Sequence, residues 1–190
     1  MMIKELIQKD KTFNESEFIS KVDNTFIMLL SGIMTENIEK VKHKLSQELF
    51  KKYDNYVKKL KINNQRQMYG DPNIKQTKIE NIFEDENRYI IKVLLVSRYM
   101  DYIINKDTKK IIMGNNNERI EIHNHLTFIK LKNAKEESII RKCPNCGASM
   151  DTNSTGICKY CHSIYDTYSY DWILTNIERK KIWQNKIKEK

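Results

Sequence analysis

The sequence has no long run of apolar residues. The longest in its helical half, Phe26–Leu30, is five residues, whereas a helix needs about 20 to cross a bilayer. The first ten residues also lack the apolar core of a secretory signal. We therefore predict a cytoplasmic protein without a membrane anchor of its own, in a reducing compartment where disulfides are rare. Peripheral attachment to a membrane is the alternative location.

Familiar catalytic motifs are also missing, and acidic charge is in deficit. The chain has no Gly-rich phosphate loop, no nucleophile elbow and no HExxH helix. Its 34 basic residues outnumber 25 acidic ones, giving a formal net charge of +9. This surplus favours an anionic partner, which can be nucleic acid, a lipid surface or an acidic protein. Lysines scattered along helices are equally typical of an ordinary solvated face.

Four cysteines form two CxxC pairs near the C-terminal end: Cys143, Cys146, Cys158 and Cys161. Two such pairs facing each other supply the four thiolates of a tetrahedral Zn²⁺ site. A redox CxxC usually comes singly beside a βαβ pattern, which is absent here. We predict one structural Zn²⁺ whose closed ligand shell does no chemistry. Iron bound by the same thiolates and His162 replacing one cysteine are the alternatives.

Helical periodicity dominates the first sixty residues. Asn14 begins a helix, with Glu17 three residues later, and Ser46 caps the third helix; a second, shorter helix begins at Thr35. The first helix carries one apolar stripe: Phe18, Val22, Phe26, Leu29 and Ile33. The aromatic residues Phe18, Phe26, Phe50, Tyr53 and Tyr56 are predicted to be core or pocket lining. Asn63–Asn73, with Gly70, Asp71 and Pro72, predicts a loop.

The period changes after Pro72 to one typical of strands. The predicted strands are Ile74–Phe83, Arg88–Ile104, Arg119–Asn133 and Ser163–Glu178, with turns at 84–87 and 105–117. A charged linker, 134–142, precedes the cysteines, and the basic tail, 179–190, is predicted to be helical.

Helices followed by an antiparallel sheet predict an α+β fold with the helices on one sheet face. We divide the chain into an N-terminal extension (1–13), an α+β domain (14–142 and 163–178), a zinc ribbon (143–162) inserted before the last strand, and a basic tail (179–190).

Several segments resemble a known family. They are Glu17-Phe18, Phe26, the short helix from Thr35 and the Leu45–Leu49 junction, then Arg98–Tyr102, Glu121 and Leu126–Lys130, and finally Asp171–Leu174 after the cysteines. Together they are similar to the Tim44-like domain, named after a subunit of the mitochondrial inner-membrane import translocase, and to bacterial members that carry a zinc ribbon. The chain departs from the family at His125 and Lys130.

The resemblance implies a fold and a class of function. The fold is a cone of the nuclear-transport-factor-two-like, cystatin-like type, in which helices pack on a curved antiparallel sheet that is open at one end. The function it implies is that of a non-enzymatic binding or adaptor module, linked to protein transport or membrane-associated assemblies. Its cone would hold a hydrophobic or lipid ligand or a peptide, or it would dock at such an assembly, with zinc fixing the loop before the last strand.

Two other functions follow from the residues. Strand alternation places Glu121, His123, His125 and Thr127 on one face of the third strand, where they form either a base or metal site or the solvent-facing half of the strand. Asp101 with Tyr102, or Glu84 with Glu86, are further acid–base candidates for a small-molecule enzyme using the cone. The third function is nucleic-acid binding through basic and aromatic residues near the ribbon: Lys142, Lys159, Tyr160, Tyr165, Arg179, Lys180, Lys181 and Trp183.

Overall fold

The computed structural model describes residues 1–132, 146–149, 160–161 and 171–182, of which 181 and 182 are described by backbone only. Its elements, in chain order, are α1 (Ile3–Lys9), α2 (Glu15–Met34), a 3₁₀ helix (Ile38–Lys44), α3 (Gln47–Ile62), β1 (Gln65–Glu84), β2 (Arg88–Asn105), β3 (Ile111–Leu131) and β4 (Ile173–Ile182). The strands form one antiparallel sheet in the order β1-β2-β3-β4. The predicted α+β class is therefore confirmed.

Helix α2 forms as its sequence predicts. The Asn14 side chain accepts a hydrogen bond from the Glu17 backbone N–H at 3.1 Å, which satisfies one of the free donors at the helix start. The predicted apolar stripe is buried against the sheet: Phe18, Val22, Phe26, Leu29 and Ile33. Helix α2 is thus the main support of the sheet's inner face.

Helix α3 is tied to the last strand at its N-cap residue, Ser46. The Ser46 hydroxyl caps the helix by accepting a 3.1 Å hydrogen bond from the Leu49 N–H. The Ser46 N–H in turn donates to the Leu174 carbonyl at 2.9 Å, and Leu45 bridges the same residue. This junction places the N-terminal end of α3 beside β4, whereas Tyr56 later in the helix reaches Gln67 of β1.

The core contains a group of aromatic rings contributed by distant parts of the chain. Phe18 meets Phe128 at 5.6 Å and Trp172 at 5.1 Å between ring centroids, and Phe13 meets Trp172 at 5.9 Å. Leu6 of α1 is also fully buried. Residues 1–13, predicted as an extension, therefore contribute side chains to the same core as α2 and the sheet.

The loop predicted over 63–73 is wrong from Gln65 onward, because β1 begins there and pairs with β2 on both sides of Asp71 and Pro72. Asp71 and Pro72 fall in a register irregularity between Gly70 and Asn73. Strand β1 is an edge strand, where a bulge and a proline, which has no N–H, interrupt no second ladder. The turn residues bend the strand without ending it.

The turn predicted over 105–117 is shorter in the structure, and β3 begins at Ile111 rather than Arg119. The Asn105 side chain closes the turn by accepting hydrogen bonds from the N–H groups of Asp107 and Thr108, at 3.0 and 2.8 Å. Gly114 then pairs with Tyr102 at a positive φ of 84°, where a Cβ would overlap the Asp101 carbonyl. The glycine thus lets the ladder continue.

The last strand runs from Ile173 to Ile182, so the predicted helical tail is wrong for residues 179–182. Those residues continue the ladder with β3, in which Arg179 pairs with Asn124 and Ile182 with Glu121. Backbone pairing with an available strand outweighs the helical preference of the basic sequence. The predicted linker 134–142 and residues 162–170 and 183–190 lie outside the described residues.

Candidate functional site

The predicted zinc ligands fall partly outside the described residues. Cys146 is exposed and Cys161 partly exposed, whereas Cys143, Cys158 and the alternative ligand His162 lie outside the description. Among the residues that the structure describes, no three His, Cys, Asp or Glu side chains cluster as a metal site. The tetrathiolate site remains a prediction.

The predicted alternation along β3 is confirmed. Ile122, Leu126 and Phe128 are buried on the inner face, while His123 and His125 lie half-buried on the other. His125 Nδ1 lies 3.0 Å from a carboxylate oxygen of Glu80, and His123 Nε2 lies 3.4 Å from Glu121. Each histidine therefore has its own carboxylate partner.

Glu84 and Asp101, one from each predicted acid–base pair, are engaged with basic side chains. Hydrogen bonds from Lys132 and Lys9 lower the pKa of Glu84 to about 2, and Glu86 is exposed in the adjacent turn. Asp101 and Tyr102 are consecutive strand residues, so their side chains leave opposite faces of β2.

Polar side chains instead meet on the inner face of the sheet, beneath α3. We call this group the interior polar cluster: Gln67, Tyr99, Asp101, Asn124 and Arg179. The Gln67 amide donates to Asp101 Oδ1 at 2.8 Å, and Arg179 Nη2 donates to Asp101 Oδ2 at 3.0 Å and to the Tyr99 hydroxyl at 2.8 Å. Strands β1, β2 and β4 thus contribute to one hydrogen-bonded set of side chains, and Asn124 of β3 lies opposite Arg179 in the β3–β4 ladder.

Tyrosine side chains pack around the interior polar cluster. The Tyr56 hydroxyl of α3 donates to Gln67 at 2.6 Å, and Tyr69 packs edge-on against Tyr99 at 5.3 Å. Burial raises the pKa of Tyr69, Tyr99 and Tyr53, so their hydroxyls are protonated at neutral pH. The cluster therefore offers hydroxyl groups and no additional negative charge beyond Asp101.

Arg179 is held at the edge of this cluster. Its side chain is 33% exposed, and its guanidinium lies 5.8 Å from the centre of the Tyr99 ring. Burial acts to lower the pKa of Arg179, but Tyr99, Tyr69 and Asp101 outweigh it and raise the pKa, so the group stays charged. Sequence reasoning placed Arg179 in a basic tail because its inward orientation depends on the register with β3.

A second feature lies at the end of the sheet that carries the β2–β3 turn. We call it the apolar end: Ile62, Ile111, Ile112 and Met113. Met113 is 65% exposed, Ile112 47% and Ile62 84%. The backbone bond from Lys106 N–H to the Asn64 carbonyl, at 2.9 Å, joins the turn to the segment that follows α3. Large apolar side chains of α3 and β3 therefore share one exposed end of the molecule.

Lysines surround the apolar end. Lys109 and Lys110 are exposed in the turn itself. Lys106 and Lys61 lie 3.2 and 3.8 Å from the carboxylate of Glu36, which also receives Arg66 at 3.1 Å. The sequence carried a signal for this end, since three consecutive apolar residues at 111–113 interrupt an otherwise polar predicted turn.

Of the residues proposed for nucleic-acid binding, the structure describes the side chains of Tyr160, Arg179 and Lys180. Arg179 is engaged with the interior polar cluster, while Lys180 and Tyr160 are exposed. Lys142, Lys159, Tyr165 and Trp183, and the side chain of Lys181, lie outside the described residues.

Comparison with known proteins identifies the family. Among the described residues, no helix is long and apolar enough to span a membrane. No curated protein matches the sequence. Residues 1–138 match the family described as the Tim44-like domain. Since this match covers well over half of the 190 residues, the chain belongs to the Tim44-like domain family.

Proposed function

We propose that this chain is a non-enzymatic adaptor module that attaches to an anionic membrane surface through its apolar end. The observation that carries the proposal is the exposure of Ile112 and Met113 beside Lys109 and Lys110. Apolar side chains flanked by lysines fit the boundary between acyl chains and anionic headgroups. Membership of the Tim44-like family supports an adaptor or membrane-associated role.

The two kinds of side chain contribute comparable binding energies. A basic residue near an anionic surface contributes about 1 kcal/mol. Full burial of an Ile or Met side chain contributes about 1.5–3 kcal/mol, so half-exposed Ile112 and Met113 gain about 1 kcal/mol each. Removing either pair should therefore weaken binding about thirtyfold, since about 1.4 kcal/mol corresponds to a factor of ten.

Vesicle flotation tests the proposal. The full chain should float with phosphatidylcholine vesicles that contain phosphatidylglycerol and stay behind with phosphatidylcholine alone. The double variant Ile112→Thr/Met113→Thr should lose most of this binding. Phe83→Thr is the matched control, because Phe83 is 46% exposed at the opposite end of the sheet. Equal losses of vesicle binding in the double variant and in Phe83→Thr would contradict attachment through the apolar end.

Two double charge-reversal variants test the electrostatic contribution of the lysines to vesicle binding. Lys109→Glu/Lys110→Glu should abolish flotation, and Lys4→Glu/Lys11→Glu, which changes net charge equally among exposed residues at the N-terminal end, should retain most of it. Binding of the wild type should also fall with salt. Flotation that depends only on net charge would contradict a defined surface.

The zinc site and the location belong to the same proposal. One structural Zn²⁺ held by Cys143, Cys146, Cys158 and Cys161 would brace the segment before β4, and the protein would be cytoplasmic and peripheral to the membrane. A link to protein transport is supported by the family resemblance alone. Elemental analysis of protein purified without added metal should give about one zinc per chain. Less than about half an equivalent of zinc would contradict the tetrathiolate site.

A further inference from the structure

We propose that Lys61, Arg66 and Lys106 form a binding site for the phosphate monoester headgroup of a lipid, as in phosphatidic acid. We call these three residues the basic cluster. The inference rests on the proposed attachment to anionic membranes, for which it supplies the preferred headgroup. The basic cluster shares no residue with the apolar end or with Lys109 and Lys110, so separate variants test the two surfaces.

Three elements of the fold bring their cations to one carboxylate. Lys61 belongs to α3, Arg66 to β1 and Lys106 to the β2–β3 turn. Arg66 Nε donates to Glu36 Oε1 at 3.1 Å, and Lys106 Nζ donates to Oε2 at 3.2 Å. Lys61 Nζ lies 3.8 Å from the same Oε2 atom and donates to the Glu36 carbonyl at 3.2 Å. The two ammonium groups are therefore no farther apart than the sum of their distances to Oε2.

The backbone at Glu36 fixes the position of this carboxylate. Glu36 follows Thr35, the C-cap residue of α2, and has a φ of 55°, in the left-handed region where such helix ends favour glycine. Its N–H donates to the Ile33 carbonyl at 3.1 Å. Burial acts to raise the pKa of Glu36, but hydrogen bonds from Arg66 and Lys106 outweigh it and lower the pKa. Glu36 is therefore a charged anchor that holds the basic cluster together.

Positive charge is in excess at this anchor. The three cations of the basic cluster lie within 3.8 Å of one carboxylate, which balances only one of them. The turn adds Asp107, which is offset by Lys109, whose ammonium donates to the Lys106 carbonyl. A phosphate monoester carries about −1.5 to −2 at pH 7, whereas a diester carries a single charge. The excess therefore favours a monoester over a diester.

The basic cluster is open to solvent. The side chains of Lys61, Arg66 and Lys106 are 45%, 39% and 29% exposed, whereas the carboxylate that they share is 12% exposed. Among the described residues, only the Nε donor of Arg66 is engaged, by Glu36. Each ammonium carries three donors and the guanidinium five, so donors remain for phosphate oxygens. An anion arriving from solvent can meet these cations without displacing Glu36.

The place of the basic cluster in the fold favours a lipid as the source of the phosphate. Ile62, 84% exposed, directly follows Lys61. The backbone bond from Lys106 to Asn64 joins the turn to the end of α3, and the apolar residues 111–113 begin β3 after the same turn. Acyl chains can therefore contact the apolar end while the phosphate contacts the basic cluster. A soluble phosphate monoester has the charge but gains nothing from the apolar end.

Vesicles matched for surface charge test the preferred headgroup. Phosphatidylcholine vesicles are prepared with phosphatidic acid or with phosphatidylglycerol, adjusted to the same zeta potential. The full chain should bind the phosphatidic acid vesicles about tenfold more tightly, because the monoester offers more charge-assisted hydrogen bonds at the basic cluster. Equal flotation with both kinds of vesicle would overturn this inference and leave attachment to anionic membranes standing. Flotation with neither would overturn the attachment itself.

A soluble probe tests the phosphate chemistry without a membrane. In NMR spectra of the full chain, glycerol 3-phosphate should shift the Arg66 Nε–H signal saturably, and dimethyl phosphate, a diester, should bind at least about tenfold more weakly. No shift at about 10 mM glycerol 3-phosphate, or equal binding of the two esters, would overturn the site. Binding of glycerol 3-phosphate without a preference among vesicles would assign the site to a soluble ligand and overturn the lipid headgroup.

Variants assign the preference to the basic cluster. Arg66→Gln/Lys106→Gln should reduce the preference for phosphatidic acid from about tenfold to about twofold, because one of the three cations remains. Lys4→Gln/Lys11→Gln is the matched control, since it removes two charges from exposed residues at the N-terminal end and should keep the preference. A folded Arg66→Gln/Lys106→Gln protein with the full preference would refute the site. Equal loss in both double variants would attribute the preference to net charge and refute it as well.

Discussion

The ion pair between Asp10 and Lys130 provides a quantitative test of how the N-terminal segment is attached. Lys130 Nζ of β3 lies 2.6 Å from Asp10 Oδ2, and the side chains are only 12% and 8% exposed. Asp10 also accepts hydrogen bonds from Thr12 N and Oγ1 at 3.1 and 2.6 Å. Lys130→Met keeps the aliphatic stem but removes the ammonium, which leaves a buried carboxylate without its cation.

Breaking one partner of a buried pair costs about 3–5 kcal/mol, whereas removing both partners costs much less. We therefore expect Lys130→Met to lower the free energy of unfolding by about 3 kcal/mol at pH 7. Asp10→Asn should destabilise as well, and the double variant Asp10→Asn/Lys130→Met should recover most of the loss. This coupling separates the ion pair from simple loss of packing.

The change of stability at acid pH is a second, independent test of the ion pair. Burial acts to raise the pKa of Asp10, but the hydrogen bonds from Lys130 and Thr12 outweigh it and lower the pKa. In the wild type, the ion pair therefore stabilises the fold at pH values above the ordinary carboxyl pKa, and this stabilisation is lost as the pH falls below about 4. Without Lys130, burial is opposed only by Thr12, so the Asp10 pKa should rise and protonation should relieve the penalty.

Urea denaturation followed by circular dichroism at pH 7 and pH 4 measures both quantities. The difference in unfolding free energy between the wild type and Lys130→Met should shrink on going to pH 4. A difference below about 1 kcal/mol at pH 7, unchanged by acid, would refute the buried ion pair and the docking of residues 1–13 on β3.

Two further predictions concern the core and its edge. Burial and the charge of Lys44 lower the pKa of His43 from 6.5 to about 4. As the pH is lowered, His43 therefore takes up a proton in the unfolded chain before it does so in the folded one. The free energy of unfolding should decrease by about 1 kcal/mol for each unit that the pH is lowered between those two values. Urea titrations of the wild type and His43→Gln should show that slope only in the wild type, and a shared slope would assign it elsewhere. Phe18→Ala should cost about 3–5 kcal/mol because the ring packs on Phe128 and Trp172, and Phe18→Leu less than about 1.5; similar costs for both would contradict the ring packing.

Local sequence signals predicted the helical half well. Asn14 and Ser46 cap their helices as expected, because an N-cap side chain satisfies donors only a few residues away. The stripe along α2 was likewise readable, since helical periodicity selects its buried face directly. The resemblance drawn from short segments anticipated the family that the match to residues 1–138 establishes.

Features that depend on strand pairing were not predictable in the same way. Gly70, Asp71 and Pro72 carry a turn signal, yet the edge position of β1 absorbs them as a bulge. The orientation of Arg179 follows from its pairing with Asn124, 55 positions earlier in the chain, which no local pattern specifies. Tertiary context decides such positions because a strand's register is set by its partner.

Insertion of Met113 into a bilayer is the most direct test of the central claim. Trp fluorescence of the Met113→Trp protein should be quenched by brominated lipid in anionic vesicles by more than that of the wild type. Phe83→Trp, at the opposite end of the sheet, should be quenched no more than the wild type. Equal quenching of the two variants, or none with Met113→Trp on vesicle-bound protein, would contradict attachment through the apolar end.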